Sequence, residues 1–236
     1  MITLHTFGPR LGLPDASPFC VKAEVLLKMS GLPYRSEFDS LGKAPKGKLP
    51  FIDDGGVIVA DSTFIRWHLE QAHGIDFDAS LDPAQRATAW AFEKLCEDNL
   101  YWGVMHARWT DDANFDKGPR RFFDAVPALI RPLIVANVRR LVRRNLLAHG
   151  LGRHSRADID RLMIHGYAAI ADFLGAKPFL MGDAPCGADA TVWAWIGSSL
   201  CPVFETQVRP AIERHANLVA YRDRGLARWF PELTPA

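Results

Sequence analysis

The sequence predicts an α+β chain of two domains, in which a short βαβ–ββα unit is followed by helices alone. Strand and helix patterns alternate over the first 75 residues, whereas helical periodicity without a convincing strand pattern fills the remainder. A length of 236 residues also exceeds the commonest single-domain size. We therefore predict a first domain over residues 1–75, a linker over 76–82 and an all-helical domain over 83–236.

The beginning of the first domain has the pattern of strand, helix, strand. Residues 2–7 are rich in strand-forming side chains and lead into a loop of glycines and prolines. Ser17 precedes Pro18 as an N-cap before a first-turn proline, and Gly31 ends the apolar helical spacing. Residues 34–38 then alternate as a second strand.

A hairpin and a second helix complete this domain. Apolar runs at residues 49–52 and 57–60 flank Asp53-Asp54-Gly55-Gly56, and paired glycines between such runs favour a hairpin turn. Asp61-Ser62 then precedes an apolar helical stripe, the place where N-cap residues are found.

Six helical segments are predicted in the second domain. Their approximate ranges are 83–111, 119–149, 156–174, 188–200, 207–215 and 218–229. At the start of the fourth, Cys186 occupies the N-cap position and Asp189 follows three residues later. Because sulfur is a weak acceptor, we expect Asp189 to supply most of the local capping.

Composition limits the possible partners. The chain has 48% hydrophobic and 23% charged residues and a formal net charge of +1, which are ordinary values for a globular protein. This balance offers no electrostatic case for nucleic acid or a membrane surface. The basic run 138–144 repeats its arginines every four residues beside Leu and Val, which indicates one solvated helix face. A dimer surface or an acidic partner is the special role that we favour for it.

The amino terminus and the cysteines indicate a compartment. No apolar run approaches the ~20 residues that span a bilayer, and the amino terminus lacks a signal-peptide pattern. We therefore expect a soluble, cytoplasmic protein. The four cysteines, Cys20, Cys96, Cys186 and Cys201, are widely scattered. Their spacing argues against zinc and against a disulfide framework, so we expect free, mostly buried thiols and no metal.

The first candidate site is Ser17-Pro18-Phe19-Cys20, where the first strand connects to the first helix. A helix start offers unpaired N–H groups and partial positive charge, which favour an anion such as a thiolate. Ser17 would donate its hydroxyl to that thiolate, with the backbone beside Phe19 and Cys20 adding positive potential; alternatively, Ser17 only caps the helix. Cys20 is either an exposed nucleophile with a lowered pKa or a buried, inert thiol, and we favour the buried thiol.

The second candidate site is Lys48-Leu49-Pro50, where a proline precedes a strand. Proline inside a strand is unfavourable because it cannot donate to the hydrogen-bond ladder. A cis Leu49–Pro50 bond would turn the chain and free the Leu49 backbone to pair with an extended ligand. A trans proline at the first residue of the strand is the alternative.

The third candidate site is Asp61-Ser62, at the start of the second helix. A serine hydroxyl together with helix N–H groups suits a carboxylate, and the Asp61 side chain suits an ammonium group. This pair fits an amino-acid zwitterion, although Asp-Ser before a helix is most often a cap alone.

These three motifs, in this order and spacing, resemble the amino-terminal domain of the glutathione transferase superfamily. Ser17-Pro18-Phe19-Cys20, residues 47–53 and Ala60-Asp61-Ser62 are similar, more narrowly, to its failed-axon-connections and metaxin-like branch. Segments 150–155, 179–183 and 188–191 are similar to the same branch, so the resemblance covers most of the chain. It implies a glutathione transferase-like fold with a thioredoxin-like first domain and an all-α bundle.

The resemblance also implies where glutathione would lie. Its thiol would lie at Ser17, next to Phe19, and its cysteinyl backbone along Lys48, Leu49 and Pro50. Its γ-glutamyl end would lie at Asp61 and Ser62. Cysteine-type members carry the attacking Cys where this chain has Ser17, which favours serine-type behaviour over thiol-disulfide exchange.

The implied activity is conjugation of glutathione, as co-substrate, to a small, mostly apolar electrophile. This transferase reaction is associated with detoxification, and the superfamily leads us to expect a homodimer. Two alternatives remain open. A non-catalytic metaxin-like or failed-axon-like binding or scaffold protein ranks second, and a glutathione-dependent reductase or peroxidase using Cys20 ranks third.

In this superfamily the first long helix after the linker lines the electrophile site. Our candidates on that predicted helix fall three and four residues apart on nearby faces, and they are Tyr101, Trp102, Met105, His106 and Trp109. The alternative is that these side chains form the core of the domain. We favour that alternative for any single one of them, His106 included.

Overall fold

The first domain contains a four-stranded sheet and two helices. The computed structural model describes residues 1–39 and 41–234 of the chain. The elements are β1 (Ile2–Thr6), α1 (Pro18–Ser30), β2 (Tyr34–Phe38), β3 (Phe51–Asp54), β4 (Val57–Ala60) and α2 (Ser62–His73). This order confirms the predicted βαβ–ββα unit.

The strands are arranged in the order β2-β1-β3-β4. β1 and β2 are parallel, and α1 is the crossover that such a pair requires. β3 runs antiparallel to β1 and forms a hairpin with β4. The turn consists of Gly55 and Gly56 alone, both at positive φ (62° and 96°), which glycine adopts without steric cost. Asp53 and Asp54, predicted to lie in the turn, belong to β3.

The second domain is helical throughout the described residues. Its helices are α3 (Pro83–Lys94), α4 (Tyr101–Trp109), α5 (Asp112–Lys117), α6 (Arg131–His149), α7 (Arg156–Leu174), α8 (Gly187–Ser199), α9 (Val208–Glu213) and α10 (Ala216–Trp229). Short 3₁₀ turns occur at Leu41–Lys43, Pro119–Phe123, Leu151–Arg153 and Pro231–Leu233. Among the described helices, none combines the length and apolar character needed to cross a bilayer.

Two of the predicted helices are wrong as single elements. The range 83–111 divides into α3 and α4 because a wider π-helical turn, Leu95–Leu100, separates them. Such a turn changes which side chains face the neighbouring elements, and Glu97 within it contacts Lys22 of the first domain. The range 119–149 is α-helical only from Arg131 onward. Pro127 lacks the N–H that an earlier continuous helix would need.

Helix α8 is the centre of the second domain, and nearly all its residues are buried. Asp189 accepts hydrogen bonds from the backbone N–H groups of Cys186 and Leu180, both at 2.8 Å. It also accepts a hydrogen bond from the Tyr221 hydroxyl at 2.6 Å. The expected capping by Asp189 is therefore confirmed, and the same carboxylate ties the start of α8 to α10.

One hydrophobic core extends across both domains. Leu4 of β1 and Leu26 of α1 belong to the same cluster of buried side chains as Trp195 and Ile196 of α8. All four cysteines are free and buried, as the sequence predicts. Because the core is continuous, the first domain packs against a surface that the second domain supplies.

A buried ionic network also joins the two domains. The Lys22 ammonium on α1 is fully buried and contacts Glu93 at 3.1 Å and Glu97 at 2.6 Å. The Arg66 guanidinium on α2 contacts Glu93 as well, and Asp78 at 2.5 Å. Two cations of the first domain therefore bind carboxylates of the second domain and of the linker.

The charges in this network depend on one another. Burial alone would lower the pKa of Lys22, but the carboxylates of Glu93 and Glu97 raise it above its usual value. Against the effect of burial, Lys22 in turn lowers the pKa of Glu97. Asp78 accepts a further hydrogen bond, at 2.9 Å, from the backbone N–H of Gly187 at the start of α8. Removing one member would leave an uncompensated buried charge.

We expect Lys22→Met to lower the free energy of unfolding by about 3–5 kcal/mol, because it leaves buried carboxylates without their partner. Urea denaturation of the folded protein measures this loss. The matched control is Arg86→Met, which removes the exposed ion pair between Arg86 and Asp76 and should leave the midpoint unchanged. A Lys22→Met protein as stable as the wild type would contradict the importance of the network.

Candidate functional site

Ser17 lies at the start of α1 in an extended backbone conformation, with φ −100° and ψ 121°. Its side chain is half-buried and makes no capping hydrogen bond to the helix. The first helical bond runs instead from the Val21 N–H to the Ser17 carbonyl. The hydroxyl is therefore not used as the cap that the sequence allowed as an alternative.

Asp15 holds the segment before Ser17, and it was not among the residues predicted for the site. Its carboxyl oxygens accept hydrogen bonds from the backbone N–H groups of Gly8 and Ser17, both at 2.8 Å. Burial raises the pKa of Asp15 to about 7, against the lowering effect of those N–H groups. The available signal was local, because an Asp two residues before an N–H commonly forms such a bond.

Arg108 on α4 supports the same segment from the second domain. It is buried and donates to the carbonyl of Ala16 at 3.1 Å and to the carbonyl and hydroxyl of Ser198, each at 2.8 Å. Burial lowers the pKa of Arg108 to about 10, so it stays charged at neutral pH. No sequence pattern predicted that Arg108 would be buried, because an arginine on a helix is usually exposed.

The Cys20 thiol is fully buried beneath this segment. Burial raises the pKa of Cys20 well above its usual value, and the charge of Asp15 adds to the effect. A hydrogen bond from the Ser17 side chain works against this rise. Because the thiolate is the nucleophilic form, Cys20 is an inert thiol here, as the favoured alternative predicted.

The Leu49–Pro50 peptide bond is cis. The Pro50 carbonyl accepts a hydrogen bond from the Asp61 N–H at 3.2 Å. The pairing of β3 with β4 begins at Phe51, so the Leu49 backbone lies outside that ladder. The Leu49 side chain packs with Cys20, whereas Lys48 is exposed. The structure thus brings Leu49 beside the segment that carries Ser17.

Asp61 and Ser62 begin α2. Asp61 has a positive φ of 93°, and its carboxylate accepts a hydrogen bond from the Thr63 N–H at 2.9 Å. The Ser62 hydroxyl is buried and has no hydrogen-bond partner among the described residues. A buried hydroxyl without a partner is costly, and at a helix N-terminus it suits a carboxylate-bearing ligand.

The five helical-domain candidates are all half-buried, but they do not lie together. Tyr101 lies edge-on to Phe19, with ring centroids 5.2 Å apart, and is thereby near Ser17. Trp102 stacks on His149 at 4.5 Å, and Trp109 packs against Phe115 at 5.8 Å, both within the second domain.

The other two candidates, Met105 and His106, lie on the same helix α4. Burial, followed by the charge of Arg156, lowers the pKa of His106. Met105 and His106 line neither of the two cavities described below.

A cavity of about 180 Å³ opens where the two domains meet. Its walls are Arg10 and Leu11 from the loop after β1 and Gly118, Arg121 and Phe122 from the second domain. A second cavity of about 100 Å³ lies between Pro14 and α8. None of the five helical-domain candidates lines either cavity, so the residues that line the cavities were not predicted from the sequence.

Two clusters offer three ligand atoms each within 4.8 Å of one another. In the first, His68 Nε2 and His73 Nε2 lie 2.9 Å and 2.7 Å from the same Asp54 oxygen. The second consists of His5, Glu37 and Asp39. Neither group has a recognisable spacing in the sequence, because strand pairing and a helix bring together residues that are far apart along the chain.

Comparison with known proteins places this chain in a family. A sequence model described as "Glutathione S-transferase N-terminal domain" matches residues 18–114. A second one, "Glutathione S-transferase, C-terminal domain", matches residues 163–225. The isoprene-epoxide–glutathione S-transferase of Rhodococcus sp. (strain AD45) is 31% identical over 95% of this chain and 97% of its own length. The chain belongs to the glutathione S-transferase superfamily.

Further relatives belong to the branch that the sequence motifs resemble. Failed axon connections of Drosophila melanogaster is 28% identical over 98% of this chain, which spans 59% of that protein. Metaxin-1 of Macaca fascicularis is 24% identical over 93% of this chain and 72% of its own length.

Solved structures show the same fold. The crystal structure of the beta-etherase LigF from Sphingobium sp. strain SYK-6 has a TM-score of 0.71, with 98% of both chains covered and 19% identity. The predicted glutathione transferase-like fold is confirmed.

Asp15 should make stability depend on pH. Its folded-state pKa of about 7 lies above the ~3.9 of an unfolded chain, so its stabilising contribution is present below about pH 4 and lost as pH rises through about 7. We expect the wild type's unfolding free energy, measured relative to Asp15→Asn, to fall by about 2 kcal/mol between pH 5 and 7. Urea titrations at a series of pH values test this, and parallel curves for the two proteins would contradict it.

Proposed function

We propose that the protein conjugates glutathione to a small, mostly apolar electrophile, with Ser17 stabilising the glutathione thiolate. The observation that carries the proposal is the Ser17 hydroxyl at the start of α1, which makes no capping bond. The cis Leu49–Pro50 bond and the partnerless Ser62 hydroxyl border the same region of the first domain. The family of the chain, and the named activity of the Rhodococcus relative, support a transferase.

Each part of glutathione has a suitable group in this arrangement. The Leu49 backbone lies outside the β3–β4 ladder and is free to pair with the cysteinyl backbone. Ser62 Oγ and the α2 N-terminus suit the γ-glutamyl carboxylate. Asp61, which is exposed, suits the γ-glutamyl ammonium group. Phe19 packs against Tyr101 and contributes its backbone N–H at the start of α1.

One hydrogen bond from Ser17 and the start of α1 together provide enough free energy to stabilise the thiolate. A thiol with a pKa of ~8.5 is about 3% ionised at pH 7, and lowering that pKa by two units needs ~2.7 kcal/mol. One charge-assisted hydrogen bond contributes ~1.5–3 kcal/mol and a helix terminus ~0.3–1 kcal/mol. The lowered pKa also weakens the nucleophile, so ionisation alone accelerates the reaction only about three-fold. Most of the rate must come from holding the electrophile beside the sulfur.

An epoxide is one electrophile that fits the proposal, because the Rhodococcus relative is named for isoprene epoxide. The thiolate sulfur would form a bond to one epoxide carbon while that carbon's bond to oxygen breaks. The oxygen takes the electron pair and then a proton from water, which yields a thioether alcohol. This reaction needs no metal and no redox partner.

Calorimetric titration with glutathione and S-hexylglutathione tests the proposal. We expect both to bind, with the alkyl chain adding affinity. Ser17→Ala should keep glutathione affinity within a few-fold but lower turnover by about three-fold from lost ionisation, and further if the serine also orients the thiolate toward the electrophile. Cys20→Ser is the matched control and should retain turnover, since Cys20 is fully buried.

The same variants separate the proposal from its alternatives. If neither ligand binds to the folded protein, the transferase proposal is overturned and a scaffold is favoured. The similarity to metaxin-1 and Failed axon connections supports that alternative. Selective loss of activity in Cys20→Ser would favour a reductase or peroxidase. Unchanged turnover in Ser17→Ala would remove Ser17 from the mechanism.

A homodimer is also part of this proposal, supported by one exposed aromatic surface. Phe64, Trp67 and Trp90 are 48%, 41% and 42% exposed, although large aromatic side chains usually find cover. Trp67 lies 5.3 Å from Phe64 and 6.2 Å from Trp90, so the three rings form a continuous band on α2 and α3. A second copy of the chain would bury this band.

We expect the wild type to sediment as a dimer and Trp67→Glu as a monomer, because a charge in an apolar interface is unfavourable. The control is Leu147→Glu, which places the same charge at an exposed leucine on α6 and should remain dimeric. If only Leu147→Glu dissociates the dimer, the interface lies on α6 instead.

We also propose a cytoplasmic location, which cell fractionation tests.

A further inference from the structure

The 180 Å³ cavity is lined by side chains of both domains. Arg10 and Leu11 come from the loop between β1 and α1, which also carries Ser17 at its far end. Arg121 and Phe122 come from the 3₁₀ turn Pro119–Phe123. The cavity is smaller than the ~300–1,000 Å³ of sites for drug-sized ligands, so it suits one end of a molecule.

Packing contacts connect the cavity to the region of Ser17. The Phe122 ring lies 5.4 Å from the ring of Phe7. Phe7 packs in turn against the cluster that contains Cys20 and Leu49. Phe7 therefore connects the Phe122 wall of the cavity to the cluster that lies beside the proposed glutathione site.

The loop that carries Arg10 is held in place by its own hydrogen bonds. Arg10 N–H donates to the Leu13 carbonyl at 3.1 Å, and Leu13 N–H donates to the Arg10 carbonyl at 2.9 Å. The Leu11 carbonyl accepts a further hydrogen bond from the Cys201 thiol at 3.5 Å. The backbone beneath the Arg10 side chain is thus anchored to both the loop and the second domain.

The charge of the cavity is positive and uncompensated. Throughout the described part of the chain, no carboxylate oxygen lies within ion-pair distance of Arg10 or Arg121, whereas the adjacent Arg120 is paired with Asp116 at 2.9 Å. The Arg10 guanidinium carbon lies 5.6 Å from the centre of the Phe122 ring. Because the whole chain carries a net charge of only +1, this pair of cations is a local feature.

We propose that the electrophile carries a carboxylate, which Arg10 and Arg121 bind while its apolar part lies against Leu11 and Phe122. This inference rests on the proposed glutathione conjugation and narrows its substrates to electrophiles, epoxides included, that also carry a carboxylate. The planar fork of a guanidinium matches a carboxylate. Binding the carboxylate in the cavity fixes one end of the electrophile and so orients its reactive carbon toward the sulfur at Ser17.

Matched pairs of glutathione derivatives test this inference. In each pair, the sulfur carries either a straight alkyl chain or a chain with the same number of carbons that ends in a carboxylate, for lengths from three to six carbons. We expect at least one carboxylated member to bind the wild type about three- to ten-fold more tightly than its alkyl partner in calorimetry. The preference should shrink at 0.5 M salt.

Substituting Arg10 and Arg121 tests whether these two side chains cause the preference for the carboxylated derivatives. Arg10→Gln combined with Arg121→Gln should reduce the preference below about two-fold while affinity for S-hexylglutathione stays the same, which also shows that the variant is folded. Arg120→Gln is the matched control and should keep the preference. If the double variant fails to fold, Arg121→Gln alone should show a reduced preference.

The outcomes separate this inference from the proposed function. Binding of S-hexylglutathione without a carboxylate preference at any length would overturn the carboxylate subsite and leave the transferase proposal intact. A preference that survives in the double variant would also overturn it. Binding of none of these compounds would mean that the proposed function itself fails.

Discussion

The structure depends on the buried contact between two cations of the first domain and the carboxylates that surround them. Lys22 on α1 and Arg66 on α2 share Glu93 of α3. These two helices also begin with the proposed ligand-binding serines, Ser17 and Ser62, about one helical turn from the cations. The contacts of Lys22 and Arg66 with the second domain therefore fix the positions of the first turns of α1 and α2.

The buried groups around Ser17 act on the backbone rather than on the serine hydroxyl. Asp15 accepts the Ser17 N–H, and Arg108 donates to the carbonyl of Ala16. One group belongs to the loop and the other to the second domain, so the peptide before α1 is held from two directions. The Ser17 hydroxyl makes no capping bond, and a hydroxyl on an immobile backbone is what an oriented thiolate requires.

The two halves of the proposed site differ in origin. The glutathione half is built from backbone features of the first domain: a helix start, a cis proline and a second helix start. The electrophile half combines a loop of the first domain with the turn at residues 118–122 of the second. Its chemistry is carried by exposed side chains on loops, which change more freely than backbone geometry. The first half therefore suits a constant co-substrate and the second a particular electrophile.

The sequence by itself determined the local elements. Gly55-Gly56 specified a hairpin, and Ser17-Pro18 and Asp61-Ser62 specified helix starts, because backbone preferences act over a few residues. Only the tertiary structure decided the cis state of Leu49–Pro50, the burial of Lys22 and Arg108, and the meeting of Arg10 with Arg121. An isolated arginine or lysine is expected in solvent, and its burial is favourable only when distant carboxylates or carbonyls converge on it. Such convergence requires the assembled fold and leaves no trace in the spacing of residues along the chain.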